Sequence, residues 1–140
     1  AASDVYKRQS QDRPKNYLQN LSEKGKVMIE IHTIVTFDKE MKRLSKKYHS
    51  IIKDYAALIE DLKKNPHIGV DLGNGIRKVR MAIASKGKGK SGGARVITDT
   101  SAIISVEEGR VTLLTIYDKS DRENISDNEI IRLQQEILKK

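Results

Sequence analysis

The chain contains no cysteine and no tryptophan, only one phenylalanine and only two prolines. Without cysteine there is neither a disulfide framework nor a thiolate metal site. That fits a reducing compartment. Five tyrosines complete the aromatic set, so the core must be built mainly from Ile, Leu and Val. No apolar run approaches the length of a membrane span, and no charged-then-apolar leader is present. The expectation is a cytoplasmic protein with no membrane partner. The three histidines, His32, His49 and His67, lack ligand-like spacing, so they read as surface or strand residues, and neither metal nor cofactor is expected.

Acidic charge is what one stretch lacks altogether. The 140 residues carry 27 Lys and Arg against 19 Asp and Glu, a net charge of +8. Between Ile76 and Thr98 stand seven basic residues (Arg77, Lys78, Arg80, Lys86, Lys88, Lys90, Arg95) and no acid. A solvated face usually mixes signs, so a one-sign block points to a polyanion, with nucleic acid ahead of an anionic protein.

Residues 1–27 lack periodicity and add six basic and three acidic residues. Met28 reads as the natural start, with 1–27 a non-native or disordered extension; the alternative is a flexible basic arm. Residues 28–140 read as a single domain. Ile29, Ile31, Thr33 and Val35 alternate with Glu30, His32 and Ile34, as in a half-buried strand. Thr36 or Asp38 is expected to cap a helix with the stripe Phe37, Met41, Leu44, Tyr48. A second stripe, Ile51, Ile52, Tyr55, Leu58, Ile59, Leu62, ends at Asn65-Pro66.

After a turn at Leu72-Gly73-Asn74-Gly75 come three strands. The first sets Val79, Met81 and Ile83 against Lys78, Arg80 and Ala82. The second runs from about Ala94 to Ser105, and the third from Arg110 to Lys119 after a turn at Glu107-Glu108-Gly109. The last element is a helix announced by a Ser126–Glu129 capping box and an Ile125–Ile130 staple, with Ile130, Leu133, Ile137, Ile131 and Leu138 as its apolar face. The fold class is α+β in the order β-α-α-β-β-β-α. A mostly antiparallel twisted sheet packs against two N-terminal helices and a C-terminal one.

Residues 85–96, SKGKGKSGGARV, contain a GxGxxG and a Gly-Lys-Ser. Either nucleotide motif needs a helix next, whose N-terminal N–H groups receive phosphate. Here a strand, Ala94-Arg95-Val96-Ile97, follows. The position six before Lys90 is Ala84 and not glycine. A nucleotide cradle is therefore rejected. A soluble hairpin tip accounts for Lys86, Lys88 and Lys90. It does not account for Lys78, Arg80 and Arg95, which lie within strands and suggest basic residues converging on phosphate.

The block Gly87-Lys88-Gly89-Lys90-Ser91-Gly92-Gly93-Ala94-Arg95-Val96-Ile97, with Leu113-Leu114-Thr115-Ile116-Tyr117-Asp118-Lys119 and the capped helix, resembles the RelE/HigB superfamily of type II toxin–antitoxin toxins. Within it the chain is most similar to the HigB-like, RelE-related branch. The resemblance spans 28–140 in element order, and these two blocks are its specific parts. It implies a ribosome-dependent endoribonuclease that cuts mRNA in the A site without a metal. It also implies a cognate antitoxin with a helix-turn-helix DNA-binding part, so that DNA is met only through the complex. The 2′-OH would attack the adjacent phosphorus, leaving a 2′,3′-cyclic phosphate and a 5′-OH. By the same resemblance Arg95 contacts the scissile phosphate, and Lys78 and Arg80 hold it and ease 2′-OH deprotonation. Lys119 acts near the leaving group, while Lys86, Lys88, Lys90 and Arg77 bind RNA. The chain departs from the family in one respect. Arg122-Glu123-Asn124-Ile125 fills the region where RelE-like enzymes place a tyrosine, which leaves the general base unassigned. Two other readings remain open: a non-catalytic RNA- or ribosome-binding module, and an antitoxin-docking protein without nuclease activity.

Overall fold

Five strands form one sheet in the order β1-β5-β4-β3-β2. The computed structural model describes residues 28–105 and 108–138; the extension 1–27 and residue Glu107 of the expected turn lie outside them. The chain runs β1 (Met28–Thr33), α1 (Val35–Lys47), α2 (Ile51–Lys64), β2 (Val70–Gly73), β3 (Ile76–Met81), a 3-10 turn (Ala84–Lys86), β4 (Ala94–Ser105), β5 (Glu108–Asp118) and α3 (Asp127–Leu138). The β5–β4–β3–β2 pairs are antiparallel, and β1 lies parallel to β5.

The fold is α+β as expected, with one more strand. Residues read as a turn end a hairpin instead: β2 precedes the two-residue loop Asn74-Gly75, both with positive φ (55° and 82°). That geometry matches the twist of flanking strands and is why Asn-Gly suits it. All four residues of β2 are exposed, so β2 has no buried alternation to betray it.

Both helical stripes are core. Phe37, Met41 and Leu44 on α1 and Ile51, Tyr55, Leu58, Ile59 and Leu62 on α2 are buried. Phe37 and Tyr55 meet with ring centroids 5.7 Å apart. α2 stops at Asn65, whose extended backbone precedes Pro66. The expected cap of α1 is corrected. The helix starts at Val35, and Ile34 holds the N-cap position without a side-chain bond. The hydroxyl of Thr36 donates instead to the Glu136 carboxylate of α3 at 2.6 Å, tying the two helices together. Val35 is exposed and Ile34 buried, because the strand period ends at Thr33.

Half of the expected capping box of α3 forms. The Glu129 N–H donates to Ser126 Oγ at 3.1 Å, but the Glu129 carboxylate turns to Arg122. Ile130 and Leu133 are buried and Ile137 packs against the core, whereas Ile131 and Leu138 are exposed. The apolar face of α3 is therefore narrower than its sequence suggests.

The strand β5 carries a register shift. Ile97 pairs with Thr115 and Thr98 with Leu113, which leaves Leu114 between them. One extra residue reverses the facing of everything beyond it. At the far end of the hairpin, β3 and β4 come so close at Gly93 that a Cβ there would sit 2.2 Å from Met81 O and 2.9 Å from Ile83 N. Gly93→Ala should therefore cost about 1–3 kcal/mol through overpacking. A lower urea midpoint at unchanged slope would show it.

Candidate functional site

Cross-strand register builds the site. Arg80 on β3 lies opposite Arg95 on β4, and Arg95 lies opposite Tyr117 on β5. Directly opposed residues share a face, so these three side chains form a row. Lys78, two residues before Arg80, extends it and reaches Asn124 Oδ1 at 3.3 Å. Lys119, just past β5, adds a half-exposed cation; its backbone N–H donates to Gly93 O at 3.0 Å. The row occupies the sheet face bordered by residues 122–125 and α3, opposite the face covered by α1 and α2.

The central arginine is 5 % exposed. Its Nη1 donates to Lys90 O and Ala94 O, both at 3.2 Å, and its Nη2 to Ser91 O at 3.0 Å. Two of its five donors thus hold the glycine-rich loop and a third the first residue of β4, and Nε–H and one Nη2–H remain. Burial, reinforced by the like charge of Arg80, pushes the Arg95 guanidinium below its usual pKa. Like charges placed directly opposite are destabilising. Among the described residues no carboxylate forms an ion pair with Lys78, Arg80, Arg95 or Lys119. The strip is thus an unneutralised cationic surface with one dehydrated member, an environment in which an anion binds strongly.

Strict alternation groups Tyr117 with Val111 and Leu113 as a core residue, and it is indeed buried, at 2 % exposure. The register shift in β5 separates it from them and sets it beside Arg95. Its hydroxyl donates to Glu123 O at 3.4 Å, and the Arg122 guanidinium stacks over its ring at 4.5 Å. Burial raises the phenol's pKa, against the pull of Arg122 and Arg95. Arg122 is itself held by two bonds to Glu129, at 2.9 and 3.0 Å.

The other basic residues fall into two groups. Lys88 and Lys90 are exposed on the loop. Arg77 faces away from the strip and donates to Ile68 O at 3.2 Å and Gly69 O at 2.9 Å. The Lys86 ammonium, whose side chain is 8 % exposed, sits 2.7 Å from Asp118 Oδ1 and 2.8 Å from Ser120 Oγ. No signal in the sequence marks Asp118 as its partner. The fully buried Asp118 carboxylate also accepts from the Tyr48 hydroxyl and the Ser120 N–H. Burial alone would raise its pKa, but the bonds from Lys86, Tyr48 and Ser120 outweigh burial and hold it well below the usual carboxylate range.

His32 bonds Glu30 within β1, and His49 and His67 are exposed. Among the described residues no three His, Cys, Asp or Glu side chains come together as metal ligands would, and no helix is long and apolar enough to cross a membrane. The glycine-rich loop leads into β4 and not into a helix, as its sequence requires.

The molecule is thus a small α+β protein, a mixed sheet with helices on both faces and a basic strip that no described carboxylate neutralises. The chain belongs to the RelE toxin family: the family model described as the RelE toxin of the RelE / RelB toxin–antitoxin system matches residues 31–139. It is accordingly a toxin-family protein with a cognate antitoxin as its implied partner. The match is to the family as a whole and does not separate out a HigB-like branch.

Asp118→Asn should destabilise the fold by about 3–5 kcal/mol at neutral pH, because it strands the Lys86 charge in a buried site. A depressed folded-state pKa gives stability that is present above the unfolded value of about 3.9 and lost as pH falls toward the folded one. The gap between wild type and Asp118→Asn in urea midpoint should therefore be constant from pH 5 to 7 and narrow below about pH 4.

Proposed function

We propose that this chain is a ribosome-dependent endoribonuclease that cuts mRNA in the A site and thereby inhibits translation in the cytoplasm. The observation that carries the reading is the cross-strand pair Arg80–Arg95, two like charges facing each other with no acid to neutralise them. Fold stability is not served by that pairing, whereas a phosphate between them would be. The family match supports the same reading.

The chemistry belongs largely to the RNA. The 2′-oxygen forms a bond to phosphorus as the bond from phosphorus to the 5′-oxygen breaks. The 2′-OH proton passes to water, and the 5′-oxygen takes one from Lys119 or from water. Lys78 and Arg80 hold the non-bridging oxygens, and the dehydrated Arg95 guanidinium behind them stabilises the added negative charge. Lys119 stands at the end of the row, where it supplies charge or a proton to the leaving 5′-oxygen. Tyr117 keeps its proton at neutral pH, as its raised pKa requires, so it serves the row by supporting Arg122 and not as a base. Rate then comes from positioning and charge. Lys88 and Lys90 meet the RNA backbone. A neighbouring antitoxin with a helix-turn-helix part silences the enzyme and carries any DNA binding.

Arg80 is exposed and makes no structural bond among the described residues, so Arg80→Ala leaves the fold intact. Its cleavage rate, read by primer extension on a reporter message with ribosomes, should fall roughly 10²–10³-fold. Lys119→Ala should also lower it. Wild-type cleavage by Arg80→Ala would remove the strip from the mechanism. Halted translation with intact message in the wild type would instead make the chain a non-catalytic binder.

A further inference from the structure

A cleft of about 730 Å³ opens beside the strip, where the last turn of α2 faces the edge of β3. β2 covers β3 only from Ile76 to Lys78, so the edge beyond Lys78 is bare of strand. Lys64 of α2, Lys78 and Arg80 of β3, and Lys90 of the glycine-rich loop line the cleft. No described carboxylate forms an ion pair with any of them. Other basic residues with inward contacts are already engaged: Lys86 by Asp118, Arg122 by Glu129 and Arg77 by backbone carbonyls. Four cations without a described carboxylate partner thus meet at one cavity, and two of them, Lys78 and Arg80, belong to the strip as well.

We propose that this cleft is a second nucleotide subsite, which receives the RNA residue adjoining the one whose phosphate lies on the strip, with Lys64 as its distinguishing cation. The inference rests on the RNA-binding part of the function proposed above. Three features favour a nucleotide over a bare phosphate. The volume is within the range of small-molecule sites, roughly 300–1,000 Å³. Sharing Lys78 and Arg80 makes the cleft continuous with the strip, so a strand that presents one phosphate to Arg80 enters with its neighbour. One acid, Asp61, lies among the four cations. A carboxylate repels phosphate but accepts a hydrogen bond from a ribose hydroxyl or a base amine, both of which a nucleotide carries. An acidic peptide also offers Asp61 donors, its backbone N–H groups, so continuity with the strip is what favours RNA.

The test uses the full chain, without ribosomes, and fluorescein-labelled oligouridylates of two and six nucleotides. On the wild type the hexamer should bind about tenfold more tightly than the dimer, the equivalent of roughly 1.4 kcal/mol. Lys64→Glu should reduce that gain to less than threefold. It should also make the plot of log affinity against log salt shallower by roughly 0.7, the contribution of one phosphate contact on a single strand. Lys64→Gln, which avoids placing an acid at a helix C-terminus, should fall between. Lys64 is exposed, and unchanged urea midpoints check that folding is not the cause. An unchanged gain and slope in Lys64→Glu would overturn the subsite. So would a variant that loses affinity only for vacant ribosomes, or only for the antitoxin, since ribosomal RNA or an acidic protein segment would then own the cleft. The two proposals fail separately. Lys64-dependent oligomer binding without message cleavage sinks the nuclease and keeps the subsite; message cleavage with a Lys64-independent gain does the reverse.

Discussion

The fully buried carboxylate of Asp118 is the fixed point of this molecule. It ends β5, and it gathers the hydroxyl of Tyr48 from the close of α1, the ammonium of Lys86 from the 3-10 turn and the N–H of Ser120. A charge taken out of water at that cost is tolerated only when its partners are complete. Here they are, and each comes from a different segment. The turn so pinned leads into the glycine-rich loop, and the loop's carbonyls in turn hold Arg95. Asp118 therefore fixes, at two removes, the most dehydrated cation of the strip while lying on the other face of the sheet.

That chain of constraints divides the basic residues into two kinds. Lys86, Arg122 and Arg77 are committed to carboxylates or carbonyls, and their charge is used internally. Lys64, Lys78, Arg80, Lys90 and Lys119 are not neutralised by any described carboxylate. A net charge of +8 does not by itself say where a polyanion would lie. The strand register and the cleft lining do, since these five lie along one sheet face and around one strand edge.

The helices and long strands were legible because their periods are strong. Phe37, Met41 and Leu44 could hardly be anything but one side of a helix, and the Asn65-Pro66 stop fell where proline geometry demands. β2 was not legible, for it buries nothing. The α1 cap was misplaced because Thr36 is spent on a partner one hundred residues away, which no local rule sees. At the site, the alternation of Lys78 and Arg80 with Val79 placed two cations on one face correctly. The register of β4 supplied the pairing with Arg95. The burial of Tyr117 was legible but not the side of the sheet it faces, which a single extra residue in β5 changes, and Asp118 escaped because a lone acid at a strand end carries no pattern. Sequence periodicity thus captures what each element buries; it is blind to which elements meet.

The parallel pairing of β1 with β5 joins Met28 to Glu108, the earliest described strand to the last. Contacts so far apart along the chain form slowly, because loop closure comes before any reward. During synthesis β1 must wait, its partner face open, until β5 has been made. Arg80 and Arg95 are translated well before Tyr117 and Asp118, yet the row they belong to has no third strand until then. The topology thus works as a timer: a partly made chain holds Lys78, Arg80 and Arg95 but not the full row, which is assembled only once nearly the whole domain is clear of the ribosome that builds it.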